Sequence, residues 1–196
     1  KGLEHGEQAL AQGRGVILLS PHFTCLEMIG RLVAMQYSFT ALFRPHKKKL
    51  INFLLQKFRS KQQVNYIPSH RMHLLTTALK NNQPVWYAYD VDGGKKRSVF
   101  APFFGIQSSS LTAVSRLAKL TGAAILPIRF YRRDDNTGYE IMLLPALEQF
   151  PSNDLVADAT RLNKCLEEAI RYKPEQYIWQ YKRFKTRPMG EKRFYE

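Results

Sequence analysis

His22 and Glu27 are the residues of this sequence whose types and spacing best suit acid–base chemistry. A neutral imidazole can take a proton from a hydroxyl, and a nearby carboxylate can fix its tautomer and stabilise the imidazolium. Positions i and i+5 do not share a face of a regular helix, so the pairing requires His22 to lie on a loop. Pro21 favours this because it restricts Ser20 to an extended conformation. The alternative is a structural histidine at a helix start beside an unrelated surface glutamate.

Short apolar runs alternate with helical periodicities along the chain. An apolar run indicates a buried strand, and apolar residues that recur every three or four positions indicate an amphipathic helix. Strands are predicted at residues 16–19, 40–43, 64–67, 85–89, 123–131 and 139–144. Helices are predicted at residues 26–37, 49–59, 72–79, 111–120 and 155–170, the last with Asp154 as its N-cap. This alternation predicts an α/β fold with a mostly parallel central sheet flanked by helices.

Composition limits the classes of protein and of partner. The chain has 196 residues, of which 44% are hydrophobic, so it can fill a core and is not intrinsically disordered. Its length suits one domain over residues 1–196. Cys25 and Cys165 are too few for a disulfide scaffold and lack zinc-type spacing. The net charge of +14 predicts an anionic partner: nucleic acid, an acidic membrane surface or a phosphorylated substrate.

Charged residues follow two more predicted strands, at the sheet edge where α/β folds bind ligands. Arg44, held by Pro45, suits a bidentate contact to a phosphate, although an exposed turn is an alternative. Asp90 and Asp92 precede two glycines, and we interpret them as orienting a substrate or forming a turn. A metal site at this stretch would need more oxygen ligands than it supplies.

Three further segments allow two interpretations each. The helix predicted at 49–59 follows Lys47 and Lys48 and carries an apolar stripe, so it either lies on a membrane surface or packs on the sheet. The apolar run at 98–105 is core or one wall of an apolar tunnel, and the serines at 108–110 are expected to open a helix. Aromatic and basic residues interleave at 179–188, which suits stacked bases or a phosphorylated lipid headgroup.

In their order along the chain, these motifs resemble the late acyltransferases of lipid A biosynthesis, the lauroyl and myristoyl transferases of Gram-negative bacteria. This family belongs to the wider glycerol-phosphate and lysophospholipid acyltransferase-like group. The resemblance covers nearly the whole chain and rests on His22 with Glu27, Phe43-Arg44-Pro45, Asp90-Val91-Asp92, residues 99–105 and residues 179–188. The family commonly has Asp-Gln-Asp in place of Asp90-Val91-Asp92. It also usually has an N-terminal membrane helix, which we expect to have been trimmed from a chain that starts at Lys1.

The resemblance implies an O-acyltransferase that moves a fatty acyl group, in the laurate to myristate range, from acyl carrier protein to a hydroxyl of a Kdo-bearing lipid A precursor. It implies direct transfer in a ternary complex, with His22 as general base oriented by Glu27. No metal and no cofactor are implied beyond the acyl carrier protein thioester as co-substrate. The implied partners are acyl carrier protein, the anionic lipid precursor and the membrane surface, at the cytoplasmic face of the bacterial inner membrane.

The resemblance also implies a set of substrate-contacting residues. The charged ones are Arg44, Arg59, Asp90, Asp92, Lys182, Arg183, Lys185 and Arg187. Those of the acyl pocket are Phe103, Phe104 and Gly105. No covalent nucleophile is required, and Cys25 is not expected to serve as one. The alternatives are a lysophospholipid or other glycolipid acceptor and, more distantly, a nucleic-acid-binding domain, which would leave His22, Glu27 and Arg44 without a purpose.

Overall fold

The computed structural model describes residues 1–59 and 63–195 and confirms the α/β class. Its strands are β1 (Val16–Ser20), β2 (Phe39–Phe43), β3 (Val64–Pro68), β4 (Pro84–Ala88), β5 (Ser98–Phe103), β6 (Ile106–Leu111), β7 (Ala124–Arg132) and β8 (Tyr139–Leu143). Its helices are α1 (Leu3–Ala11), α2 (Leu26–Ala34), α3 (Lys49–Arg59), α4 (His73–Lys80), α5 (Ala113–Thr121) and α6 (Leu155–Tyr172). Each strand and helix predicted from the sequence has a counterpart, whereas α1, β5 and β6 were not predicted.

The central sheet has six strands in the order β3-β2-β4-β1-β7-β8. Every neighbouring pair is parallel except β7 with β8. All five residues of β1 are buried, as expected for a strand covered on both faces. Because β1, β2, β3 and β4 are parallel, their carboxyl ends lie at one edge of the sheet, and the loops that follow them share that edge.

A second sheet consists of β5 and β6, which form an antiparallel hairpin. Phe104 and Gly105 form its turn with φ values of 48° and 79°, the left-handed pair that a tight hairpin turn requires. Ser108, Ser109 and Ser110 are therefore buried in β6, and the expectation that they open a helix is wrong. Pairing with β5 places their hydroxyls against protein acceptors, and α5 begins after them, at Ala113.

The C-terminal segment, residues 173–195, follows α6 and crosses the loop after β1. The Thr24 amide donates to the Gln176 carbonyl, and the Ile178 amide donates to the His22 carbonyl, at 2.9 and 3.1 Å. The C-terminal segment therefore holds the loop that carries His22. Among the described residues, no helix is both long and apolar enough to cross a membrane.

The predicted cap of α6 is confirmed, since Oδ1 of Asp154 accepts the amides of Val156 and Ala157 at 2.8 and 3.2 Å. We expect Asp154→Ala to lower the free energy of unfolding by about 1 kcal/mol, because two amides of the first turn lose their acceptor. Urea unfolding followed by circular dichroism measures this. Asp154→Asn keeps an acceptor oxygen and should stay within about 0.5 kcal/mol of the parent; an equal loss in both variants would contradict a capping role.

Candidate active site

His22 lies on the loop after β1, as its proposed chemistry requires, and its side chain is 16% exposed. Two bonds connect it to one carboxylate, that of Asp90. Nδ1 of His22 lies 2.5 Å from Oδ1 of Asp90, and the His22 amide donates to Oδ2 at 2.8 Å. An ionised carboxylate only accepts, so Nδ1 carries the hydrogen and Nε2 is left with a lone pair for a substrate proton.

Strand register explains why these two residues meet. Ser20 at the end of β1 pairs with Ala88 at the end of β4, and the chain continues two residues beyond each to His22 and Asp90. Neighbouring parallel strands of equal length therefore bring both side chains to the same place. Asp90 is completely buried beneath His22, so the structure gives it a contact with the imidazole, and its direct contact with substrate stays a prediction.

Tyrosines surround the buried carboxylate. Burial, and then the negative charge of Asp90, raises the pKa of both Tyr177 and Tyr181 above the usual value for a phenol. The ring of Tyr181 also meets the His22 imidazole edge-on, with 4.8 Å between centroids. A phenol is already neutral at pH 7, and the raised pKa values extend its neutral range to higher pH, so these hydroxyls add no charge beside Asp90.

Glu27 does not make the predicted contact with Nδ1 of His22. Its carboxylate instead accepts from Nη2 of Arg59 at 2.5 Å, and the Arg59 guanidinium lies 4.8 Å from the centre of the Tyr66 ring. Glu27 is on the first turn of α2, whose direction carries its side chain towards α3, while Nδ1 of His22 is occupied by Asp90. The structure thus pairs each of the two acids with a different base.

A cavity of about 490 Å³ contains His22 and opens among the loops at this sheet edge. Much of its wall is apolar and comes from strands and helices that the sequence reading did not associate with the site. These residues are Leu26, Phe39, Ala41, Phe43, Leu55, Tyr66, Trp86, Tyr87 and Leu111. Arg44, His46 and Arg59 add basic groups to the same wall, next to Glu27. The cavity can therefore hold an alkyl chain and an anionic group at once.

Asp92 holds the C-terminal segment and is not among the residues that line the His22 cavity, and its contact with substrate stays a prediction. It accepts the amide and the hydroxyl of Thr186 at 2.7 and 2.8 Å, and the amide of Gly94 at 2.8 Å. A carboxylate with three donors is satisfied by the protein. The Asp90-Val91-Asp92 motif therefore uses one acid to position His22 and the other to fix the chain that crosses above it.

Arg183 is buried and bonded within the protein, and its contact with substrate stays a prediction. Its guanidinium donates to the Ser109 carbonyl, to Oγ of Ser110 at 3.0 Å and to Oδ1 of Asn163 at 3.2 Å. Burial lowers the pKa of Arg183, and the charges of nearby groups, among them Asp90, oppose that shift. The side chain is thus an internal cation on the same side of the sheet as the buried carboxylate.

The other predicted C-terminal cations lie around a second cavity, of about 530 Å³. Lys182 and Lys185 are exposed there, beside Lys95. Arg187 also lines it but donates to the Gln107 carbonyl and to Glu191, so its guanidinium is already bonded within the protein. Tyr181 lines the His22 cavity and its neighbour Lys182 lines the basic one, so this segment contributes to the wall of each cavity.

The predicted acyl-pocket residues lie elsewhere. Phe103 is 1% exposed and packs against Phe104 and Phe184, with ring centroids 4.8 and 5.9 Å apart. Phe104 and Gly105 form the hairpin turn, where the Phe104 amide donates to Glu167 of α6. The run is apolar because it packs the hairpin on α6 and the C-terminal segment, and the wall of the His22 cavity is built from other residues.

Neither a metal cluster nor an activated thiol stands out at the site. Within residues 1–59 and 63–195, no three His, Cys, Asp or Glu side chains are grouped so as to hold a metal ion. Cys25 is half-buried at the start of α2, and burial raises the pKa of its thiol. A raised pKa disfavours the thiolate that nucleophilic attack requires.

The residue that sequence reasoning missed as the partner of His22 is Asp90, although it was named as a site residue. The signal was present: both His22 and Asp90 stand just after predicted buried strands. The missing information was strand order, because a list of strands does not say that β1 and β4 are neighbours. The sequence likewise placed Trp86 and Tyr87 in a strand but did not predict that they line the cavity.

Comparison with known proteins connects this site to lipid A biosynthesis. Residues 1–186 match the family model for bacterial lipid A biosynthesis acyltransferases. The chain is 36% identical over 196 residues to a lipid A biosynthesis palmitoleoyltransferase of Escherichia coli K12, covering 100% of this chain and 64% of that protein. It is 36% identical over 190 residues to a lipid A biosynthesis lauroyltransferase of the same strain, covering 96% and 62%.

A lipid A biosynthesis acyltransferase of Haemophilus influenzae is 32% identical over 198 residues, covering 97% of this chain and 60% of that protein. This chain therefore spans less than two thirds of the length of these relatives. The resemblance drawn from the motifs is confirmed by these matches.

Because Arg183 is buried and Lys182 is exposed, replacing each of them should change the free energy of unfolding by different amounts. We expect Arg183→Met to lower the free energy of unfolding by roughly 3 kcal/mol, because it leaves buried acceptors and the Asp90 charge uncompensated. Lys182→Met removes an exposed cation and should change stability by less than about 0.5 kcal/mol. Chemical denaturation of both variants measures this, and equal stabilities would contradict a structural role for Arg183.

Proposed function

Since this chain belongs to the family of bacterial lipid A biosynthesis acyltransferases, we propose that it transfers a fatty acyl group from acyl carrier protein to a hydroxyl of a Kdo-bearing lipid A precursor. The observation that carries the proposal is the His22–Asp90 pair in the wall of a cavity that is apolar and basic together. Our proposal includes the cytoplasmic face of the bacterial inner membrane as the location of this reaction, as the resemblance to the family implies.

The chemistry assigned to His22 is general base catalysis. Nε2 takes the proton of the acceptor hydroxyl as its oxygen attacks the thioester carbonyl, since a free alkoxide is too basic to form at pH 7. The C–O bond forms, the C–S bond breaks, and the imidazolium returns the proton to the leaving thiolate. Asp90, fixed by two bonds to the His22 residue, holds the ring in the required tautomer and stabilises its charged form.

The two kinds of wall in the cavity suit the two parts of the substrates. The apolar wall from Phe39, Trp86 and Leu111 accommodates an acyl chain, and Arg44 and Arg59 can hold an anionic group of the acceptor. Glu27 keeps the Arg59 guanidinium beside the Tyr66 ring, so it contributes to the site by placing a cation. The proposed role of Glu27 is thus to help bind the acceptor through Arg59, and not to orient His22.

The donor carrier is acidic, and the basic cavity offers it a complementary surface. Lys182 and Lys185 are exposed one and four residues beyond Tyr181, which contacts His22. A carrier held on these cations would sit next to the cavity that must receive its acyl chain. Such surface charge acts mainly on association and is weakened by salt.

The reaction is tested by offering acyl carrier protein charged with laurate or myristate together with two acceptors, a Kdo-bearing lipid A precursor and a lysophospholipid, in detergent micelles. Mass spectrometry identifies which acceptor gains an acyl group. We expect the lipid A precursor to gain it with the parent chain and not with His22→Ala, whose rate should fall about 10²–10⁴-fold. Acylation of the lysophospholipid alone would show that the acceptor is a lysophospholipid and would contradict the proposed lipid A acceptor.

The two acids are distinguished by separate kinetic effects. Asp90→Asn should lower kcat by about 100-fold or more with little change in KM, since asparagine has one acceptor oxygen for the two His22 donors and no negative charge to stabilise the imidazolium. Glu27→Gln should mainly raise KM for the anionic acceptor, because Arg59 loses its carboxylate. A fall in kcat for Glu27→Gln with KM unchanged, and near-normal Asp90→Asn, would instead assign the orienting role to Glu27.

Cys25→Ser should retain most of the activity, within about threefold, because the buried thiol is disfavoured as a thiolate and direct transfer needs no acyl–enzyme. The same assay measures this, with intact-protein mass spectrometry of the parent after incubation with donor alone. An acylated protein that loses its label in Cys25→Ser would contradict direct transfer.

A further inference from the structure

Helix α3 exposes its large apolar residues to solvent. None of its residues is buried, whereas Leu50, Phe53, Leu54 and Phe58 are 69, 59, 54 and 63% exposed. The other interpretation of this helix, that its stripe packs on the sheet, is therefore wrong. A contiguous apolar patch on a folded protein marks an interaction surface, because its burial elsewhere is favourable.

The charged residues within the sequence around this patch are basic, and the acid that contacts α3 is Glu27, which bonds Arg59. No acidic residue occurs between Glu27 and Asp90, and Lys47, Lys48 and Lys49 stand at the start of α3. An element with cations beside an exposed apolar face fits the boundary between anionic headgroups and acyl chains. A second copy of this chain fits poorly, because the same cations would face one another.

The patch also lies beside the cavity that contains His22. Leu55 and Arg59 of α3 line that cavity, so the inner side of the helix faces the site while its outer side is exposed. The guanidinium of Arg31 on α2 lies 5.9 Å from the centre of the Phe58 ring, and Met28 of α2 is 42% exposed. Helices α2 and α3 together thus form the apolar rim of this side of the cavity.

We propose that α3 lies in the interface of an anionic lipid bilayer, with Phe53, Leu54 and Phe58 among the acyl chains and the lysines on lipid phosphates. An eleven-residue helix is too short to cross a bilayer, so it lies along the surface. In this orientation the cavity opens beside the bilayer, and a lipid acceptor reaches His22 without leaving its chains in water. This last consequence rests on the proposed function, whereas the binding of α3 does not.

The position of α3 is tested with vesicles of phosphatidylcholine alone or with one quarter phosphatidylglycerol, including brominated lipids as quenchers. Phe53→Trp places a fluorophore on the apolar face, and Leu120→Trp places one on α5, where Leu120 is 64% exposed. We expect a blue shift and bromine quenching of the added fluorescence for Phe53→Trp with anionic vesicles only. Equal signals from the two variants, or equal signals with neutral vesicles, would overturn the proposal.

Affinity is tested with the double variant Phe53→Ser and Leu54→Ser, and Leu120→Ser is the matched control. Loss of two inserted side chains should weaken partitioning into anionic vesicles at least about tenfold, whereas the control should bind like the parent. Lys47→Gln with Lys48→Gln should weaken binding and flatten its salt dependence. Vesicle binding that is unchanged in the double variant, or self-association that the double variant abolishes, would refute the membrane role of α3.

Activity separates this proposal from the proposed function. The double variant should keep the parent rate on acceptor in detergent micelles and lose rate only on acceptor embedded in vesicles. No transfer by the parent in either medium, with α3 still quenched by brominated lipid, would reject the proposed function alone. Equal rates of parent and double variant on embedded acceptor would reject the lateral entry of lipid.

Discussion

A fully buried carboxylate at the end of β4 is the constraint on which the site depends. An isolated charge in a protein interior is costly, so Asp90 must be met by donors and cations from elsewhere in the chain. The loop after β1 supplies the amide and the imidazole of His22. The C-terminal segment supplies Arg183, buried on the same side of the sheet. Positioning of His22, the proposed base, and compensation of the buried charge are thus one arrangement.

The same constraint explains why so much of the polar structure lies above the sheet edge. Asp92 bonds Thr186, and Arg183 bonds Ser110 of β6 and Asn163 of α6. These bonds join the loop after β4 and the hairpin that follows it to α6 and the C-terminal segment, which come much later in the sequence. Arginine and aspartate in the family-like motifs therefore serve the rigidity of the site, and a rigid support is what a base with a defined tautomer requires.

The surfaces proposed for chemistry, for substrate charge and for membrane contact are separated around the cavity. The apolar wall and the arginines belong to β2, β4, α3 and the loops next to them, while the exposed lysines of the C-terminal segment surround a different cavity. Helix α3 belongs to both an internal and an external surface, because its half-buried side lines the cavity and its apolar side is exposed. An enzyme that joins a water-soluble donor to a lipid needs these surfaces at different sides of one site.

The sequence by itself determined the fold class, the boundaries of most strands and helices, the cap at Asp154 and the loop position of His22. These features depend on local periodicity and on residue geometry, which are visible in a short window. Between Leu155 and Ile170, for example, apolar residues recur on one face of the helix, and this spacing is visible without knowing what the helix packs against. The family could also be identified from the sequence, because short motifs in a fixed order can be recognised without knowing which residues they contact.

Only the tertiary structure decided which acid serves His22, which cations are free and where an acyl chain fits. Glu27 is near His22 in sequence, but Asp90 is near in space, because β4 hydrogen-bonds to β1 and equal strand lengths place both residues at the same edge. Arg183 and Lys182 have the same charge and adjacent positions, yet one is buried and the other exposed. Strand order and burial arise from contacts between distant segments, and no local pattern of residues encodes them.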